Sequence, residues 1–400
     1  MPHTPSLNGD ASSTEVTFRP LAFSNATATF VLFGATSSLF GPLLISFSRR
    51  FDLSLPSAGT VLSVFFVGAL LGVPLGWLGV KRYRGNVVLS AMMILMAVGA
   101  FGASLSSHWI SFLVSVFVIG LSFGGVDFSL NTLLMRTAIA HRAHRLSLAN
   151  AGYGVGSVVG PVLIILVRPH NFPLLFAGLA STAVFLSLFN RGISAPPLHL
   201  ASRRRELAAM KSQRRPILVT FIAAYILYVA AETSSAGWIA PQLHRLGYSQ
   251  SVASVVTAGF WAGLAIGRVV GGPLSKRLSD KILVLVGLGL AIALSATAVS
   301  TTVAPYAYPI LGLVVASVYP MGLIWYTVLC PHDSDGLALL IFFMMGGGVI
   351  GPGVESFAVS QWGIRAVPLV VAGFATLDLA VFASALRFRP LRPLAVRPAD

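Results

Sequence analysis

Five ionisable side chains interrupt stretches that are otherwise apolar: Asp127, Glu232, Arg268, Glu355 and Asp378. Holding an ionised group in hydrocarbon costs about 3 kcal/mol on insertion scales, so a charge kept there marks a functional candidate. A carboxyl such as Asp127 can carry a proton, accept hydrogen bonds from a solute, or pair structurally with a cation across a bundle. Asn131 lies four residues on, one helical turn away on the same face, within reach of that carboxyl or of a polar solute. Glu232 could bind solute hydroxyls or an amine, or carry a second proton; the alternative is a helix-break residue within AETSSAG at 231–237. Arg268 could snorkel to the membrane surface or pair with an acid when a gate closes. Glu355 either pairs with a basic group or faces a cavity, and Asp378 is expected to be paired locally. Asn150, Tyr153, Trp238, Trp261 and Tyr326 are uncharged candidates: a sugar can stack on an aromatic face and hydrogen-bond to Asn or Tyr, although each also suits packing or interface anchoring. No zinc motif and no phosphate-cradling glycine loop occurs, so no metal, cofactor or catalytic centre is expected. The single cysteine, Cys330, rules out an intramolecular disulfide.

These residues require elements that can hold them in a bilayer. Of the 400 residues, 56% are apolar and 10% are charged, against roughly 25% charged in a soluble domain. In hydrocarbon the backbone must satisfy itself, which leaves helices or a closed barrel. A barrel strand alternates apolar and polar residues; these runs are continuously apolar. Stretches of about 20 residues suffice to cross. They fall at 25–48, 56–80, 86–106, 110–134, 146–168 and 172–190, then at 217–240, 251–275, 282–300, 305–329, 337–360 and 364–388. The fold class is therefore an all-α polytopic membrane protein with twelve spans.

The formal charge of +15 is carried by short loops and tails rather than by a nucleic-acid-binding face. Placing the N-terminus inside puts Lys81, Arg82, Arg84, Arg136, Arg142, Arg145, Arg203, Arg204, Arg205, Lys211, Arg214, Arg215, Lys276, Arg277 and Lys281 on the cytoplasmic side, with the tail arginines 387, 389, 392 and 397. Arg49, Arg50, Arg168, Arg245 and Arg365 remain outside. That asymmetry predicts cytoplasmic termini in a bacterial plasma membrane. The acidic loop PHDSDG at 331–336 runs against the trend. The polar start MPHTPSLNGDASSTEVTF has no signal-peptide core. The expected organisation is a tail at 1–24, a six-helix bundle at 25–190, a basic linker at 191–216, a second bundle at 217–388 and a tail at 389–400. Within the linker, ASRRRELAAMKSQRR can form an amphipathic helix on the anionic leaflet, as a topological tether or a regulatory lipid contact.

The halves repeat. SVFFVGALLG at 63–72 aligns with SVVTAGFWAG at 254–263, and GSVVGP at 156–161 with GGVIGP at 347–352, both at an offset of 191 residues. Duplicated bundles can rock about a site at their interface and expose it to each side in turn. Gly68, Gly72 and Gly76, like Gly259, Gly263 and Gly267, make a small face on which another helix can pack closely.

With twelve spans, a 6+6 division and a central loop, the whole chain resembles the major facilitator superfamily. GWLGVKRYRG at 76–85 is placed like that family's loop between spans two and three, with Val80 where the family usually has an acid; its second copy is GGPLSKRLSDK at 271–281. The resemblance implies a gating role for Lys81 and Arg82, and for Lys276 and Arg277; Arg268 and Glu355 are further gating candidates. GLSFGGVDFSLNT at 120–132, YVAAETSSAGWIAPQL at 228–243 and GLAIGRVVGGPLSKR at 263–277 are similar to the fucose-permease-like, sugar:proton symporter branch. That similarity implies proton coupling and substrate binding at Asp127, paired with Asn131, while Gly41 stands where the related permeases have a first-span aspartate. The expected function is secondary active transport of a small, sugar-like solute by alternating access, coupled to protons through Asp127 with Glu232 as a second coupling candidate. The alternatives are a proton antiporter exporting amphipathic compounds or metabolites, and an uncoupled uniporter. The expected partners are the solute, protons and the lipid bilayer, with no nucleic acid, and the expected state is a monomer.

Overall fold

A computed structural model describes residues 16–137, 139–167, 171–197, 207–331 and 333–391. Its helices are α1 (Pro20–Arg50), α2 (Leu55–Arg82), α3 (Gly85–Leu105), α4 (Trp109–Met135), α5 (Ile139–Val167), α6 (Phe172–Phe189), α7 (Leu207–Arg245), α8 (Gln250–Ser275), α9 (Asp280–Thr297), α10 (Ala304–Val315), α11 (Val318–Leu329), α12 (Ser334–Trp362) and α13 (Ala366–Ala385). Among the described residues, 12 helical spans are long and apolar enough to cross a membrane. They form the expected all-α fold of two pseudo-symmetric six-helix bundles.

The tenth span differs from the sequence expectation. It is one continuous apolar run in sequence but two helices, α10 and α11, interrupted at Ala316 and Ser317. Pro320 gives the reason: it has no N–H to donate to the carbonyl of residue 316, and its ring clashes there. The short Ser106–His108 connection does separate α3 from α4. Several starts are capped as their sequence suggests: Ser249 accepts from Val252 N, Ser279 from Ile282 N and Asp333 from Gly336 N.

Two compact units divide the chain. One is built from the described residues of Met1–Leu39, Arg49–Phe51 and Val64–Ala201, the other from those of Phe40–Ser48, Asp52–Ser63 and Ser202–Asp400. Helices α1 and α2 are thus shared between units. In the first unit a short antiparallel pair, β1 (Thr17–Phe18) with β2 (Ile193–Ser194), ties the chain entering α1 to the chain leaving α6. Val16 N donates to Arg136 O and Gly85 N to Ala195 O, which fixes this pair to α3 and the end of α4. Part of the anticipated amphipathic linker, with Arg203, Arg204 and Arg205, lies outside the described residues, as do Arg168, Arg392 and Arg397; from Leu207 the chain is already α7.

The glycine repeat is a packing device used twice. In the first unit Gly68, Gly72 and Gly76 face the α4 backbone at Phe117, Leu121 and Gly125, while Gly120 and Gly124 face Phe65 and Ala69 of α2. In the second, Gly263 and Gly267 face Pro309 and Leu313 of α10, and Gly312 faces Phe260 of α8. A Cβ on Gly124 or Gly312 would overlap a backbone carbonyl, which cannot rotate away as a side chain can. Gly124→Ala and Gly312→Ala should each cost about 1–3 kcal/mol by overpacking. Gly178→Ala, with nothing within 4 Å of the new methyl, should be neutral or stabilising by up to about 1 kcal/mol. Melting of the three purified variants checks the contrast.

Candidate functional site

The first unit gathers polar side chains from α1, α4 and α5. Asp127 sits in the last third of α4, flanked on the same helix by the small residues of FGGVD. Asn131 Nδ2 donates to Asp127 Oδ1 at 3.0 Å and to the Asp127 carbonyl at 2.9 Å. This is the i,i+4 contact expected from the spacing. Asn150 Nδ2 of α5 reaches Asn131 Oδ1 at 3.3 Å, so two helices contribute to one hydrogen-bonded chain ending on the carboxyl. Asp127 and Asn131 are half-buried and Asn150 is exposed. Tyr153, one turn beyond Asn150, shares a 2.9 Å hydrogen bond with Ser37 of α1 and lies edge-on to Phe123. Of this group, Ser37 escaped sequence reasoning. The polar run TSS at 36–38 was its only signal, and nothing local says which of its hydroxyls turns towards α5.

Asp127 can accept a hydrogen bond or hold a proton. Asn131 is its only donor among the described hydrogen bonds, so one carboxylate oxygen is left for other partners.

The second unit places Glu232 with Tyr228 and Ser235 on the wall of a small, largely apolar cavity that also touches Phe260, Leu311 and Val371. Its free space is enough for roughly one water. The Tyr228 hydroxyl lies against both Glu232 and Arg268, so Arg268, expected at a gate, has an acid within its own bundle. The helix break that was the alternative role for Glu232 is absent. Helix α7 runs unbroken through it, with Thr233 and Ser235 returning their hydroxyls to the carbonyls of Val229 and Ala231 within the helix. Trp238 is fully buried against Gly59, and Trp261 is buried edge-on to Phe260.

Tyr326 serves a different cluster. Its hydroxyl donates to Asp333 Oδ2 at 2.5 Å, and Arg214 Nε lies 2.5 Å from the same oxygen. Asp333 Oδ1 accepts from Gly336 N at 2.9 Å. The acidic loop that contradicted the charge pattern therefore holds the start of α7 to the start of α12. Burial, reinforced by the Asp333 charge, pushes the neighbouring Cys330 thiol up to about 11. Of the gating candidates, Lys81 stacks over Trp77 with its Nζ 4.2 Å from the ring centre, while Arg82, Lys276 and Arg277 are exposed. Glu355 and Asp378 are fully buried, and among the described residues neither carboxyl makes a hydrogen bond of good geometry. The local pairing expected for Asp378 is therefore not found among the described residues: Tyr225 is close enough to sense its charge, but the Tyr225 hydroxyl is turned to Tyr319 O.

The profile of the Major Facilitator Superfamily matches residues 26–332. The glucose/mannose transporter GlcP of Bacillus subtilis is 22% identical over 342 residues, covering 79% of this chain and 82% of its own. The hexuronate transporter of the same organism is 22% identical, covering 87% and 88%. Among solved structures, a bacterial homologue of the human lysosomal transporter Spinster superposes with a TM-score of 0.77 at 16% identity, over 93% of this chain and 98% of that one. The transporter FucP, in an outward conformation, superposes with a TM-score of 0.62 at 20% identity, over 91% and 98%. At these identities the structural likeness speaks for the fold.

Proposed function

The chain belongs to the Major Facilitator Superfamily, and from that premise we propose that it moves a sugar-like solute with the proton gradient, Asp127 being the carboxyl that takes up and releases the proton. It is an integral membrane protein and a secondary transporter of a small solute by alternating access, in a superfamily that transports rather than catalyses. The observation that carries the finer reading is the chain Asn150–Asn131–Asp127. It offers amide and carboxyl groups suited to hydroxyls, and ends on an acid that a proton can neutralise. The names of the glucose/mannose and hexuronate relatives agree with a sugar-like solute, as the Asp127–Asn131 spacing does with the fucose-permease-like branch.

Neutralising Asp127 lowers the cost of carrying it through a closed, dry state. On this reading Asn150 and Tyr153 contact solute in the first bundle (25–190). Glu232, Trp238 and Trp261 are the corresponding candidates in the second (217–388), whereas the Tyr326 hydroxyl is committed to Asp333. Lys81, Arg82, Arg268, Lys276 and Arg277 act in gating. The termini face the cytoplasm of a bacterial inner membrane, and a monomer suffices.

The test is uptake of labelled hexoses, pentoses and hexuronates into proteoliposomes carrying an inward proton gradient. The expected result is accumulation of at least one sugar above its external concentration, collapsed by a protonophore. A sugar that only equilibrates would indicate uniport. Amphipathic compounds moving against the gradient, with no sugar uptake, would replace the reading by export.

A further inference from the structure

Two seams in this fold are built alike. In the first, Gly156 and Gly160 of α5 press against the carbonyls of Val31 and Ala35 of α1. In the second, Gly347 and Gly351 of α12 press against the carbonyls of Ile226 and Ala230 of α7. One turn further along, the first seam places Ile164 on α5 and Leu39 on α1, both buried. The second places Glu355 on α12 and Ser234 on α7, both fully buried. The same packing problem is thus solved with aliphatic side chains in one half and with a carboxyl and a hydroxyl in the other. Packing does not require Glu355, and apolar replacement of buried polar groups is often neutral or stabilising. The carboxyl needs another reason to be there.

Among the described residues no cation faces it, and neither carboxyl oxygen meets a donor in good hydrogen-bond geometry, the Ser234 hydroxyl lying beside it. The groups that face it from neighbouring helices are Ser234 of α7 and Tyr308 of α10. The Tyr308 hydroxyl is itself turned to Gln242 Oε1. Neither is a cation, and the buried ion pair described above, Arg214 with Asp333, lies at the other end of α7. A carboxyl enclosed in this way persists only as the neutral acid. The end of the seam is covered by the α2 stretch within Asp52–Ser63. Gly59 meets Ser356 and Trp238, and Ser63 Oγ donates to Val349 O at 3.0 Å. These contacts lie on either side of the turn of α12 that carries Glu355.

We propose that Glu355 is a second proton-binding site of the transport cycle, keeping its proton while the α2 stretch covers the seam and exchanging it with water when that cover lifts. The proposal rests on the proton-driven reading for the use made of the proton, but its protonation is measurable without a solute. Purified full-length protein in lipid bilayers is titrated between about pH 5 and about pH 9, following the carbonyl stretch of protonated carboxyls by infrared difference spectroscopy. Wild type, Glu355→Gln, Asp378→Asn and Asp127→Asn are compared, with Glu355→Ile as a variant that copies the first seam.

The expected result is a protonated-carboxyl band that Glu355→Gln and Glu355→Ile both remove and that Asp378→Asn and Asp127→Asn leave. It shifts in heavy water and loses intensity across the titration. Spectra of Glu355→Gln identical to wild type overturn the proposal. So does a Glu355 band that neither exchanges nor titrates, because that is a permanently neutral structural acid. Failure of the Asp127 reading is seen separately, as proton-driven uptake that survives Asp127→Asn while the Glu355 band still titrates.

Discussion

Asp127→Asn should fold, bind solute and lose concentrative uptake. The substituted amide keeps the size of the carboxyl and one carbonyl oxygen for Asn131 Nδ2, which now donates to Asp127 Oδ1 at 3.0 Å, so melting should move little. What is lost is the proton. A charge crossing the membrane contributes about 2.3 kcal/mol per 100 mV. At about 1.4 kcal/mol per tenfold ratio, one coupled proton therefore supports roughly fifty-fold accumulation at about 100 mV. The variant should lose that factor and its response to an imposed pH gradient, while exchange of labelled for unlabelled solute, which needs no net proton movement, continues. Uptake and exchange measured on the same proteoliposomes separate the two. Asn131→Ala should do less, since it removes a donor and leaves the acid. Unchanged accumulation in Asp127→Asn would remove the residue from coupling altogether.

The parts of this molecule that could be read from sequence are those set by short-range periodicity. Span lengths follow from the apolar thickness of a bilayer. The Asp127–Asn131 contact follows from helical spacing, and the glycine faces of α2 and α8 from the repeat. What could not be read depends on neighbours distant in the chain. Tyr153 meets Ser37 across 116 residues, and sequence offers no register between α1 and α5. The Glu232 region looked irregular because Thr, Ser and Gly are poor helix formers in water. Inside the bundle the Thr233 and Ser235 hydroxyls bond back to α7 carbonyls and the helix continues. Pro320 was visible, but its effect on the tenth span was masked by the unbroken hydrophobicity on either side. A charged carboxylate at Asp378 needs a partner; among the described residues it has no hydrogen bond, which fits a neutral acid instead.

The acidic loop was the one visible anomaly in the charge pattern, and its explanation predicts a large stability effect. Asp333→Ala should destabilise the second unit by about 3–5 kcal/mol, the usual consequence of removing one member of a buried ion pair. The Asp333 side chain is 3% exposed and that of Arg214 12%. The substitution leaves the guanidinium without its counter-charge, the Tyr326 hydroxyl without its acceptor and the first turn of α12 without its cap; the cap alone is worth about 1 kcal/mol. Arg214→Met should cost less, near the lower end of that range, because Tyr326 and Gly336 N still serve the carboxylate. The informative variant is Arg214→Met combined with Asp333→Asn. It removes both charges, keeps an oxygen for Gly336 N, and should recover most of the loss, since the charges are costly chiefly when left alone. Melting midpoints of the purified variants give the comparison. A double variant no more stable than Asp333→Ala would mean that shape and hydrogen bonding, not charge balance, hold α7 to α12 at this end. A single Arg214→Met as stable as wild type would mean that the pair contributes nothing.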